Sequence, residues 1–132
     1  LAREGAYDGV VFHRVIDGFM AQTGDVQFGN SSKPSYNPAR TGTGGSDKPD
    51  LKAEFSNMNH GRGTCSMARA QNPNSANSQF FICFDDASFL NRQYSVWGQV
   101  IEGMENVDKI KRGEPVRDPD KIVSLKVAAD VA

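Results

Sequence analysis

Two residues, Asp17 and Gly18, are all that separates an apolar run at 10–16 from a second run at 19–23. Parallel strands need a crossover of about a dozen residues or more, so strands this close can pair only antiparallel, as a hairpin. Asp-Gly supplies the backbone angles that a tight hairpin turn requires. The rest of the chain has the same grain. Runs at 63–70, 79–84, 94–100 and 121–128 read as further short strands, QFFICF at 79–84 being the clearest. Segments rich in Gly, Asn, Ser and Pro lie between them, the longest at 24–50. Many short strands with few helices point to a mainly β fold, an antiparallel sheet closed as a barrel.

One helix is expected, at 102–112. Met104, Val107 and Ile110 share a face there, Glu105 and Lys109 stand four apart, and Gly113 ends it. DLKAEF at 50–55 and the irregular segment 85–93 each allow a single turn. Residues 1–4 read as the last turn of a helix stopped by Gly5. The 132 residues therefore suit one domain, 1–132, that begins inside an element and is N-terminally incomplete.

Charge narrows the partners. Fifteen Lys and Arg against 16 Asp and Glu give a net charge of −1, unlike a general binder of nucleic acid or anionic membrane. No apolar run approaches the roughly 20 residues of a membrane-spanning helix. Cys65 and Cys83 sit in separate apolar segments and read as buried free thiols. Together with His13 and His60 they match no zinc-ligand spacing. TGTGGSDK lacks the residue order of a phosphate loop, and neither a GxSxG elbow nor an HExxH motif is present.

Alternation then gathers a surface. Strand side chains repeat every two residues, so Met20 and Gln22 share one face, and Gln79 shares one with Phe81. Phe80, Ile82 and Phe84 take the opposite, core face. If the two strands are neighbours, an apolar floor lies beside two amides, with the Arg14 guanidinium within reach. Such a surface suits a peptide whose ring enters a pocket while its backbone is hydrogen-bonded at the rim. Ordinary alternation on a half-exposed sheet accounts for the same pattern. His13, next to Arg14 but on the other face, reads as a packing residue.

FHRVIDGFMAQTGD resembles the signature of the cyclophilins, the peptidyl-prolyl cis-trans isomerases. The resemblance continues in order through GTGGSDKPDLKAEF, GTCSMARA, NSANSQFFIC, FLNRQYSVWGQV and GMENVDKI. It implies a closed antiparallel eight-stranded barrel with capping helices, of which the first strands and most of the first helix are missing here. It also implies an isomerase of X-Pro bonds in unfolded or flexible proteins, assisting folding, with neither cofactor nor metal. By resemblance, Arg14 is the catalytic arginine and Gln22 the glutamine that orients it and meets the substrate carbonyl. Phe19, Met20, Phe81 and Leu90 hold the proline ring, Gln79 contacts substrate, and Ala68 and Arg69 lie on the peptide-binding strand.

Three positions depart from the common pattern. Arg69 stands where Asn is usual. Phe89 stands where cyclosporin-sensitive members carry Trp, so weak cyclosporin binding is expected. Tyr94 replaces a pocket-edge His. The last two changes and the long loop 28–49 are bacterial in character, and a cytoplasmic location is expected, with a periplasmic one left open. Two other readings remain: a proline-peptide binding module without turnover, and a thiol protein using Cys65 and Cys83. Retention of Arg14 favours the isomerase, because binding alone needs no donor aimed at the twisted bond.

Overall fold

A computed structural model describes residues 1–131. Five strands form its centre: β1 Arg14–Ile16, β2 Met20–Thr23, β3 Thr64–Met67, β4 Phe80–Cys83 and β5 Val96–Gln99. They make one antiparallel sheet of order β1-β2-β4-β3-β5.

The hairpin forms as expected, but through three residues rather than two, with Ile16 opposite Met20. Gly18 takes φ 72°, a left-handed conformation that glycine adopts without steric cost. Phe19 thereby leaves the ladder, and Arg14 falls opposite Gln22. Upstream of Arg14 the run 10–16 is not a continuous strand. Val10 bridges Asn30 and Val11 bridges Lys121, so two distant segments satisfy its backbone.

Other expected elements differ. The run 121–128 is not a strand: beyond the Lys121 bridge, Ile122 donates to the Val10 carbonyl and Leu125 to the Asp8 carboxylate. Residues 50–55 make no helical turn, because Leu51 pairs with Ala76 and Ala53 donates to the Asn74 side chain. The helix at 102–112 shortens to α1, Met104–Val107. After it, Lys109 and Ile110 donate to carbonyls three residues back. Arg112 Nη1 then takes the Asp108 and Ile110 carbonyls, each at 2.6 Å, which closes the turn. Glu105 and Lys109 form no ion pair among the described residues. The apolar face of this segment is nonetheless used: Met104, Val107 and Ile110 pack against Val15, Ala21, Phe84 and Val116.

Both faces of the sheet carry a buried apolar cluster. One carries the cluster around Val15, Ala21 and Phe84. The other carries the buried cluster of Met20, Phe81, Cys83, Ala87 and Leu90. Phe80 and Phe84 are buried on the expected side, whereas Ile82 is only half-buried. Among the described residues the sheet stays open between β1 and β5. In place of an eight-stranded barrel with capping helices there are five strands, α1 and three 3-10 turns at Ala2–Glu4, Ser88–Leu90 and Ala128–Asp130.

Candidate active site

The hairpin register brings the first functional pair together. Arg14 and Gln22 face each other across β1 and β2, and Arg14 Nη1 donates to Gln22 Oε1 at 3.2 Å. That contact turns the other end of the Gln22 amide toward β4, where Nε2 donates to Gln79 Oε1 at 3.0 Å. Gln79 Nε2 in turn donates to the carbonyls of Gly42 and Gly44, at 2.9 Å each. The amide protons of the same two glycines point to Asp25, which accepts Gly42 N–H at 2.7 Å and Gly44 N–H at 2.9 Å. Its second oxygen accepts Gln27 and Phe28 N–H. Asp25 is fully buried. A continuous chain of donors and acceptors thus joins a buried carboxylate to the Arg14 guanidinium. A side chain on Gly44 would meet Asp25 Oδ1 at 2.5 Å, so the close approach requires glycine there.

Arg14 has a second partner. Its Nε pairs with the carboxylate of Glu114, 100 positions away in the chain. No pattern in the sequence announces Glu114, because residue spacing carries no signal for contacts of that range. The loop 24–50 hides its organisation in the same way, since only the fold shows that Asp25 gathers it.

Beside Arg14 lies a recess of about 140 Å³. Met20, Phe81 and Leu90 form its buried floor, with Phe19, Ala68 and Tyr94 packed around them. Tyr94 meets Phe81 edge to face at 5.7 Å. Phe89 does not line this recess. It is 66% exposed and lies against Phe19 at the rim, ring centroids 5.5 Å apart. Behind Phe81 lies the buried His60 ring, 6.2 Å away and nearly parallel. Asn91 donates through Nδ2 to Asn59, so its Oδ1 accepts from His60 Nδ1 at 3.0 Å. Nε2 of His60 is then free to accept from the Ser66 hydroxyl at 2.9 Å. His60 was visible in the sequence only as a metal candidate.

A second recess, of about 260 Å³, adjoins the first across Ala68 and Arg69. It is walled by Gly42–Gly44, Asn77 and Gln79 rather than by apolar side chains. Gln79 therefore belongs to this side of the groove. Against Gly42 lies His13, 8% exposed, with no hydrogen-bond partner for Nδ1 among the described residues. Burial pushes the His13 pKa below its ordinary value, Asp25 pulling it up and Arg14 adding to the depression.

The cysteines stand apart from this groove chemistry. Cys65 lies opposite Ile82 and Cys83 opposite Met20, so they project from opposite faces of the sheet. Both are free and buried, and burial pushes the Cys83 thiol up to about 11. Burial raises the Cys65 thiol as well, and thiols kept from ionising are poor nucleophiles at neutral pH.

The family model described as "Cyclophilin type peptidyl-prolyl cis-trans isomerase/CLD" matches residues 1–127. A probable peptidyl-prolyl cis-trans isomerase of Brucella abortus is 62% identical over 135 residues, covering 98% of this chain and 68% of its own length. Among solved structures, a cyclophilin from Hirschia baltica superposes with TM-score 0.82 at 29% identity. That match takes in 99% of this chain and 64% of the other. A cyclophilin-type isomerase of Cryptosporidium parvum, solved in the presence of the dipeptide Ala-Pro, matches with TM-score 0.74 at 28% identity. It takes in 94% of this chain and 77% of the other.

Proposed function

The chain belongs to the cyclophilin-type peptidyl-prolyl cis-trans isomerases, and from that premise we propose that it accelerates rotation about X-Pro bonds with Arg14 as the working donor. Twisting the amide forfeits its resonance, which sets a barrier of roughly 18–20 kcal/mol. No bond is made or broken, so the protein has only to bind the twisted form better than either planar form. In the twisted form the prolyl nitrogen regains a lone pair and accepts a hydrogen bond. A guanidinium is suited to donate one, since it stays charged and carries its donors on a rigid plane. Each ~1.4 kcal/mol gained only in the twisted state is worth about tenfold in rate.

The placing of Arg14 supports this reading most. It stands beside a small recess floored by Met20, Phe81 and Leu90, held by Gln22 and Glu114. In this reading the recess takes the proline ring, Gln22 fixes the guanidinium and meets the substrate carbonyl, and the strand at Ala68 and Arg69 carries the peptide backbone. The Cryptosporidium relative solved in the presence of Ala-Pro supports the same peptide class here. An NMR exchange measurement on an Ala-Pro peptide tests the proposal, with faster cis-trans exchange expected on adding catalytic amounts of protein. Binding without faster exchange would instead make the groove a proline-peptide module.

The finer expectations join the same proposal. Phe89 offers no N–H where a Trp would, so cyclosporin should bind weakly, and low-nanomolar inhibition would contradict that. Folding assistance in a bacterial cytoplasm accords with two free buried thiols. We extend the proposal to the family's closed eight-stranded barrel with capping helices, as the architecture in which the five strands β1 to β5 take part. An apolar cavity of about 440 Å³ beside Phe80 and the half-exposed Trp97 supports that extension.

A further inference from the structure

We propose that the groove selects peptides carrying an acidic side chain close to the proline, and that Arg69 sets this preference; the inference rests on the isomerase reading and names its substrate class. The chain as a whole is slightly acidic, at −1. The two recesses are not. Their lining includes Arg14 and Arg69 and no Asp or Glu.

The two arginines differ in how their charge is met. Arg14 is paired with Glu114. Arg69 has no carboxylate within ion-pair distance among the described residues. Its guanidinium is held by neutral carbonyls instead. Nε and Nη2 donate to Gln93 O at 2.9 and 2.7 Å, and Nη1 donates to Ala70 O and Gln71 O at 3.0 Å each. The ring of Tyr94 lies beneath it at 4.7 Å. These contacts fix the position of the charge without cancelling it. Four of the five guanidinium hydrogens are used, which leaves one on Nη2 for a ligand.

Arg69 touches both recesses, so a peptide threaded from one to the other passes this cation. A carboxylate brought to within several ångströms of it, partly out of water, gains a Coulomb attraction that a neutral side chain lacks and an ammonium reverses. The charge sits on the substrate path and is already ordered, so the attraction costs little additional side-chain entropy.

Two peptide series test this, Xaa-Ala-Pro-Ala-Gly and Gly-Ala-Pro-Ala-Xaa, with Xaa being Glu, Gln or Lys. In at least one series kcat/KM should fall from Glu through Gln to Lys, spanning about three- to tenfold at low salt. The span should shrink at high salt as screening grows. It should collapse in Arg69→Gln and persist in Arg69→Lys. Equal values for Glu and Lys in both series would overturn the inference, as would a span untouched by salt and by Arg69→Gln. Absence of turnover on every peptide speaks against the isomerase reading alone. In that case dissociation constants from NMR titration of the same peptides give the same ratio and decide the matter.

Discussion

The two recesses of the groove share Gln22, Ala68 and Arg69, yet each is held in shape by different forces. A different histidine packs against a residue of each, His60 on Phe81 and His13 on Gly42. The smaller is shaped by packed side chains. Met20, Phe81 and Leu90 are at most 9% exposed, and His60 behind them has both ring nitrogens partnered. The larger is shaped by backbone. Glycine carbonyls and amides run between Gln79 and Asp25, and His13 beside Gly42 leaves Nδ1 without a partner among the described residues. Packing is non-directional and costly to remove, whereas a chain of hydrogen bonds is directional and sets alignment. Substitutions on the two sides should therefore be felt in different quantities, stability on one and rate on the other.

Phe81→Ala gives the largest expected effect. Removing a buried aromatic ring costs about 3–5 kcal/mol of stability, and the same change opens the recess floor. Chemical denaturation should show the loss, and peptide titration should show weakened binding. An unchanged unfolding midpoint would remove packing as the basis of this side. Arg14→Ala, at the edge of the same small recess, separates chemistry from packing. Loss of a donor used only in the twisted state should lower kcat/KM by about 10²–10³. Its ion pair with Glu114 is partly exposed, and such pairs contribute about 0–1 kcal/mol. The unfolding midpoint should therefore barely move. A destabilisation equal to that of Phe81→Ala would make Arg14 a support of the fold rather than a donor to the twisted bond.

How much of this was legible in sequence follows the same division. The hairpin, the strand at β4, and the shared face of Met20, Gln22 and Phe81 came from local alternation and a two-residue spacer. Periodicity of two is written into neighbouring residues. The apolar face of α1 was legible for the same reason, but its length was not. Arg112 reaching back to the Asp108 and Ile110 carbonyls ends it, and no propensity encodes that. The polar side was read least well. Asp25 takes four backbone donors from segments up to 19 residues away, and Glu114 reaches Arg14 across 100. Resemblance named Gln22 and Gln79 as site residues, but not the carboxylate at the far end of their chain.

Asp25→Asn probes that chain. The amide keeps one acceptor but turns a donor toward groups that are themselves N–H donors. Leaving such groups unsatisfied costs about 1–3 kcal/mol. Beyond that loss, misaligning Gly42 and Gly44 should pass through Gln79 and Gln22 to the guanidinium. The expected signature is a fall in kcat of a fewfold with KM little changed, because the proline recess is untouched. A loss of stability with kcat preserved would mean that Asp25 organises the loop alone.

The smallest effect concerns His13, and pH reads it. His13 is buried with its pKa pushed below the ordinary 6.5, desolvation being the main cause. Between that depressed folded value and 6.5, the unfolded chain binds the proton more readily than the folded one. Stability therefore rises with pH through this window and is fully present above it. As pH falls below about 6.5, the contribution of His13 is lost progressively, down to its folded pKa. One proton bounds the slope at about 1.4 kcal/mol per pH unit. Urea denaturation between pH 5 and 8 should show this slope, and His13→Gln should flatten it. Turnover should not follow the same curve, because rotation about an amide transfers no proton. If kcat fell in step with His13 protonation while the fold persisted, His13 would belong to the alignment of Arg14 rather than to packing against Gly42.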